Sequence, residues 1–117
     1  MRNDIAEFVG QLITTSPELS EVHRQHLVDQ GELLPHVLMG EITRLVIAQA
    51  ASGESADWLA KLLLRLEAGL TSGNRDIAEL VAVSFVENLC GENTTIETLR
   101  PVMGAALRRE VKAICGV

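Results

Sequence analysis

The chain has 117 residues and a formal net charge of −6; 47% of its residues are hydrophobic, but only 3% are aromatic. This length suits a single domain (1–117) with a core of its own. Because there is no tyrosine and few other aromatics, the core must be built from Leu, Val, Ile and Ala. Such a composition favours helices and argues against an all-β sandwich.

The negative charge is concentrated in the first half of the chain. Up to Trp58, nine acidic and three basic residues give −6, whereas from Leu59 onward seven of each give zero. A nucleic-acid-binding protein needs a basic surface. The one basic cluster contains Glu110 and is expected near a helix C-terminus, where cations are favourable; it comprises Arg100, Arg108, Arg109 and Lys112. We therefore predict no nucleic-acid partner.

The two cysteines, Cys90 and Cys115, lack the CxxC spacing of a zinc site and do not make a disulfide framework. The first residues lack the apolar run of a signal peptide, and no apolar stretch reaches the roughly 18 residues of a membrane span. We therefore expect a soluble, reduced, cytoplasmic protein with no membrane partner and no cofactor.

Apolar residues recur at helical spacing along most of the chain, and breaks rich in Gly, Pro, Ser or Thr separate the runs. In chain order, we expect a first helix with an apolar stripe over 5–13, a second over about 17–29, a third over about 35–52, a fourth over about 55–72 and a fifth over about 74–89. The fifth is apolar nearly all round from Ile77 to Val86, which predicts a central position.

The last part of the chain is interrupted by Pro101. Residues 95–99 are therefore predicted to form a short turn, and the main last helix is expected to begin at Arg100 or Pro101. No segment shows the period-two alternation of a strand. The predicted fold is all-α. The sequence supports an irregular five- to six-helix bundle and a short HEAT-like helical array about equally.

The histidines suggest two interpretations. His23 and His26 lie on the apolar side of the second helix and could bind a metal together with His36, in a small metal-binding protein or enzyme. The favoured interpretation is a histidine packed at a helix–helix contact, with a ring nitrogen bonded to the backbone or to a carboxylate. Glu32 and Glu41 could form an acid–base pair, but no nucleophile or phosphate-loop motif accompanies them, so we predict no enzymatic activity.

The third helix has a second face opposite its leucine stripe, formed by His36, Gly40, Thr43, Arg44 and Ile47. A glycine inside a helix costs about 1 kcal/mol relative to alanine, so we expect a close neighbour at Gly40. That neighbour is another helix of the domain, a second copy in a homodimer, or a partner chain or ligand held by His36 and Arg44. The predicted partner-binding residues are Glu32, His36, Gly40, Glu41 and Arg44.

Two segments carry a resemblance to a known family. The segment Gly31 to Arg44 reads GELLPHVLMGEITR, and the stretch Leu63 to Leu89 combines a leucine-rich helix with the helix IAELVAVSFVENL. They resemble a widespread bacterial family of small helical proteins of unknown function that carries a GELLPHxxMGE/D-type segment. The resemblance implies an all-helical cytoplasmic domain and an association with polymorphic-toxin immunity proteins.

We therefore predict a non-catalytic, protein-binding domain that acts as an immunity protein and neutralises a toxin. An acidic inhibitor would associate rapidly with a basic toxin domain through electrostatic steering. The alternatives are the histidine-based metal-binding protein or enzyme, and a structural homodimer through the third helix.

Overall fold

The structure, a computed structural model, describes residues 3–117, and this range contains helices and turns but no strand. Seven helices follow one another within it, so the all-helical prediction is confirmed, with one or two helices more than expected. They are α1 (Asp4–Ile13), α2 (Pro17–Gln30), α3 (Pro35–Ala51), α4 (Asp57–Leu70), α5 (Arg75–Val81, continuing through Ala82–Val86 and Glu87–Leu89), α6 (Asn93–Leu99) and α7 (Ala105–Cys115).

Caps formed by nearby residues explain where α1, α2 and α5 begin and where α2 ends. The side chain of Asn3 accepts the Ala6 N–H at the start of α1, and Ser16 does the same for α2, where Pro17 occupies the first helical position. Gly31 ends α2 with a φ of 76°, a left-handed conformation that favours glycine. Asn74 caps α5 by accepting two backbone N–H groups.

Helix α5 lies at the centre of the fold, as its apolar sequence predicts. Its middle segment, Ala82–Val86, is π-helical and packs mainly on α3. The first segment contacts α1 and α4, and the middle segment also contacts α7. Phe85 and Val86 are fully buried, and the buried side chains of all seven helices join them in one apolar cluster.

The C-terminal part differs from the prediction in two respects. Residues 93–99 form helix α6 rather than a short turn, and the last helix begins at Ala105 rather than at Arg100 or Pro101. Pro101 instead lies in a 3₁₀ turn, Arg100–Val102, which joins α6 to the extended residues Met103 and Gly104.

A carboxylate from α4 determines where α7 begins. Glu67 accepts the Ala106 N–H at Oε2 and the Leu107 N–H at Oε1, each at 2.8 Å. Gly104 leaves room for this contact, because a Cβ atom at Gly104 would lie 2.3 Å from Cδ of Glu67. A negative charge that accepts free N–H groups at a helix N-terminus is stabilising. Since 39 residues separate Glu67 from Ala106, no local sequence pattern reveals the cap.

Cys90 and Cys115 are joined by a disulfide bond, with their Cα atoms 5.0 Å apart. This corrects the prediction of two reduced cysteines. The prediction relied on spacing along the chain, which says nothing about two helix ends that meet in space. Within residues 3–117, no helix combines the length and the apolarity needed to cross a bilayer.

We expect Glu67→Ala to lower the free energy of unfolding by about 1–2 kcal/mol, because two N–H groups at the start of α7 lose their acceptor. Gly104→Ala should also destabilise, since the new methyl group displaces the carboxylate. Urea unfolding followed by circular dichroism measures both. As a control, Glu87→Ala replaces an exposed glutamate and should change stability by less than about 0.5 kcal/mol.

The double variant Glu67→Ala/Gly104→Ala tests whether the two residues interact directly. Once Glu67 is alanine, Gly104→Ala meets no carboxylate, so its additional cost should be much smaller than in the wild-type background. Strictly additive costs would show that the two residues do not interact as described.

Candidate functional site

His26 connects α2 to the beginning of α3. Its side chain is fully buried; Nδ1 lies 2.6 Å from Oε1 of Glu41, and Nε2 accepts the Leu34 N–H at 3.0 Å. Because Nε2 is an acceptor, the hydrogen bonds assign the ring proton to Nδ1, which donates it to the Glu41 carboxylate. Both ring nitrogens are thus used. This confirms the favoured interpretation of a histidine at a helix–helix contact.

The same contact explains much of the GELLPHVLMGEITR segment. Leu34 is the residue that precedes α3, and it offers no side-chain cap. The His26 ring satisfies its backbone N–H instead, while Gly31 provides the left-handed turn that ends α2. The special residues of this segment therefore build a fixed α2–α3 hairpin, in which His26, Leu34 and Glu41 form what we call the histidine clamp.

His36 lies on a different side of α3 and contacts α5. Its Nδ1 shares a hydrogen bond with Oγ of Ser84, in the π-helical segment. Nearby, the Ser84 carbonyl accepts a hydrogen bond from Asn88 Nδ2 at 2.6 Å. The hydroxyl of Thr43, which donates to the Met39 carbonyl at 2.7 Å, also lies 3.3 Å from the Ser84 carbonyl. The second face of α3 is therefore covered in part by α5, through a polar contact centred on Ser84.

The His36–Ser84 pair is not arranged as a catalytic dyad. A cleft of about 250 Å³ lies beside His36, lined by Ile5, Pro35, His36, Asp76, Glu79 and Leu80. Ser84 does not line it, and only 5% of the serine is exposed. A nucleophile must reach its substrate, so the geometry supports a helix–helix contact here.

Gly40 has more space than the sequence suggests. A Cβ atom there would lie 3.6 Å from Nδ2 of Asn88 and 4.0 Å from Nη1 of Arg44, which is ordinary van der Waals contact. The expected close approach occurs instead at Gly69 of α4, which the sequence analysis did not single out. A Cβ atom at Gly69 would lie 2.7 Å from two ring carbons of Phe8 and 3.0 Å from Cγ2 of Ile77.

The five predicted partner-binding residues do not share one face. Glu41 contacts α2 through the histidine clamp, whereas His36 and Gly40 lie toward α5. Glu32 and Arg44 are exposed. A role for these residues in binding a partner stays a prediction.

The three histidines are not assembled as metal ligands. Among residues 3–117, no group of three or more His, Cys, Asp or Glu side chains is placed to hold a metal ion. His26 uses both ring nitrogens on Leu34 and Glu41, and His36 uses Nδ1 on Ser84. His23 is half-buried on α2.

Three exposed aliphatic side chains near the histidine clamp were missed by the sequence analysis. Leu27, Val28 and Val37 are 39%, 66% and 44% exposed. Leu27 follows His26 directly, and Val37 lies four residues before Glu41 on the same face of α3. The exposed acids Asp29, in the last turn of α2, and Glu32, between α2 and α3, belong to the same part of the chain. We call this set of exposed residues the hairpin patch: Leu27, Val28, Asp29, Glu32 and Val37.

A signal for this patch exists in the sequence. Leu27 and Val28 are adjacent in a helix whose remaining residues are mostly polar. A helix with so narrow an apolar stripe cannot bury two neighbouring positions equally. At least one of them had to face solvent.

We expect His26→Ala to lower the free energy of unfolding by about 2–4 kcal/mol, because it removes a buried ring and leaves the Leu34 N–H without its acceptor. Thermal unfolding measures the loss. His23→Ala, a histidine on the same helix that is not part of the clamp, is the matched control and should cost clearly less. Equal costs would contradict the clamp.

The two helix-interior glycines should respond oppositely to alanine. Gly40→Ala has room and should stabilise the protein by up to about 1 kcal/mol, through helix propensity and a less flexible unfolded chain. Gly69→Ala should destabilise it by about 1–3 kcal/mol, because the methyl group collides with Phe8. Chemical denaturation of both variants tests the pair. Destabilisation by Gly40→Ala would indicate a closer neighbour than the structure shows.

Comparison with known proteins gives a family but no characterised relative. No curated protein matches the chain significantly, and no solved structure does. A family model, described as a domain of unknown function (DUF7674), matches residues 9–116. The association with immunity proteins stays a prediction. Since the match covers nearly the whole sequence, the chain belongs to the DUF7674 family of domains of unknown function.

Proposed function

We propose that this chain is a non-catalytic, protein-binding domain that uses the hairpin patch to bind a basic protein. The observation that carries the proposal is the exposure of Leu27, Val28 and Val37 beside the acidic residues Asp29 and Glu32. Apolar side chains surrounded by charge are typical of protein-interaction surfaces. The sequence prediction placed binding on the outer face of the third helix and its neighbouring acids, and it shares one residue, Glu32, with the hairpin patch.

The patch has a rigid support. The histidine clamp joins α2 to α3, and α3 packs on the buried middle of α5. A surface that is already ordered loses little conformational entropy when it binds.

We also propose an irregular bundle rather than a HEAT-like array, because α5 is contacted by α1, α3, α4 and α7, whereas a helical array brings together mainly sequence neighbours.

The charge of the first half of the chain, which contains the patch, favours a basic partner. The residues up to Trp58 carry a net −6. Arg24, the one basic residue on α2, is engaged by Glu21 through a 2.9 Å hydrogen bond from Nε. This hydrogen bond lowers the pKa of the exposed Glu21 carboxyl, so that acid stays ionised. Attraction between an acidic patch and a basic partner speeds their association.

Within this class, our specific proposal is an immunity protein that neutralises a basic toxin domain in the cytoplasm. Small size, an acidic binding surface and the absence of an accessible nucleophile at His36–Ser84 support it. The Cys90–Cys115 bond is an observation against the cytoplasmic location, because stable disulfides are rare in a reducing cytoplasm.

Affinity capture from the source cell, with single variants of the patch as bait, tests the proposal. We expect Val28→Asp and Glu32→Lys each to reduce recovery of a basic partner by about tenfold or more, because they remove apolar contact or reverse a charge. Leu64→Asp is the matched control: Leu64 is 70% exposed on α4, outside the patch, and its replacement should leave recovery unchanged. Raising the salt concentration should weaken wild-type recovery.

Two outcomes would contradict the proposal. Equal recovery by Val28→Asp and Leu64→Asp would place binding elsewhere on the chain. A wild-type dimer in light scattering that Val28→Asp converts to monomer would assign the patch to a second copy of this chain.

A further inference from the structure

The disulfide bond joins two helix ends at the surface. Cys90 directly follows α5 and is exposed, whereas Cys115 is the last residue of α7 and is half-buried. The two cysteines therefore differ in exposure, and we expect a thiol in solution to reach Cys90 more easily than Cys115. Neither cysteine belongs to the hairpin patch, so chemistry at this bond is independent of the proposed function.

The two helix ends are also held together by contacts other than the disulfide. Leu89, which precedes Cys90, is fully buried, as are Leu107 and Val111 of α7. At the start of α7, Glu67 caps the helix. Beyond its end, Nη2 of Arg100 donates a hydrogen bond to the Val117 carbonyl at 2.7 Å. Core packing and these polar contacts hold α7 in place independently of the disulfide bond.

We infer that Cys90–Cys115 is a reversible thiol–disulfide exchange site, at which a small thiol or a dithiol reductant attacks Sγ of Cys90. The attacking thiolate forms a mixed disulfide with Cys90, and the electron pair of the broken S–S bond leaves on Sγ of Cys115, which takes up a proton. A second thiol then displaces Cys90 as a thiol. Overall, two thiols of the reductant are oxidised to one disulfide, and the cystine is reduced to two cysteines.

The consequence of reduction is local. Loss of the bond leaves the last turn of α7 attached through Val111 and through the Arg100 contact, while the rest of the apolar cluster is unchanged. Ile114, which is partly exposed beside Cys115, gains freedom to move. A reducing environment thus loosens the C-terminal turn without unfolding the domain.

The test uses protein purified without reductant. Intact mass, before and after reduction under denaturing conditions, shows whether the bond is present through the gain of two hydrogen atoms. The folded protein is then treated with reduced glutathione, quenched in acid and digested. We expect the glutathione adduct on Cys90 to exceed that on Cys115 by about fivefold or more, as access dictates.

Structural readouts monitor the same reaction with a dithiol reductant. Amide hydrogen exchange within residues 112–117 should become about tenfold faster or more, with little change in residues 57–70 and no loss of the helical circular dichroism signal. The matched control is the double variant Cys90→Ser/Cys115→Ser, whose exchange should not respond to the reductant.

Four results would overturn the inference: free thiols in the protein as purified, reduction that requires denaturant, an adduct that favours Cys115, and loss of the helical signal on reduction. An adduct on Cys90 together with exchange confined to the C-terminal turn supports it.

Discussion

The structure depends above all on the burial of α5. A helix that is apolar on nearly every side buries most of its surface. In this chain α1, α3, α4 and α7 contact it, and Val83 stays 41% exposed. Burying a Leu, Val or Phe side chain contributes about 1.5–3 kcal/mol relative to leaving it in water. A helix with Leu80, Val81, Phe85, Val86 and Leu89 all buried therefore dominates the choice of architecture, and the other helices are arranged by the faces they turn toward it.

Two long-range polar contacts then position helices that the apolar cluster alone would leave free to shift. Glu67 accepts N–H groups at the start of α7, and His26 accepts the N–H of the residue before α3. In both places the local sequence offers no side-chain cap. A buried helix start without an acceptor is costly, so each distant side chain both stabilises a helix terminus and specifies which element lies beside it.

The sequence predicted those parts of the fold that local physics determines. Ser16-Pro17, Gly31 and Asn74 mark helix ends through their own backbone and side-chain preferences, and the apolar run of α5 predicted its central position. Periodicity could not show that Glu67 reaches α7, or that Cys90 and Cys115 meet, because both depend on packing between distant segments. For the same reason the sequence pointed to Gly40 and not to Gly69. A glycine inside a helix can be recognised in the sequence, but the side chains that pack against it cannot. At the candidate site, the residue type of His26 was informative, whereas its partners Leu34 and Glu41 emerged only from the fold.

The π-helical segment of α5, Ala82–Val86, has a consequence for how α5 tolerates changes in length. A π turn accommodates one residue more than the α-helix around it, and each residue of an α-helix advances the side chains by about 100°. The wider turn absorbs the extra residue, so the residues after Val86 keep nearly the orientation that they would have in a regular α-helix one residue shorter. Deleting one residue within Ala82–Val86 would thus return a regular helix and leave Leu89 in the apolar cluster and Cys90 facing Cys115. Deleting one residue from the regular part, Arg75–Val81, would instead rotate one half of α5 against the other by about 100° and break those contacts.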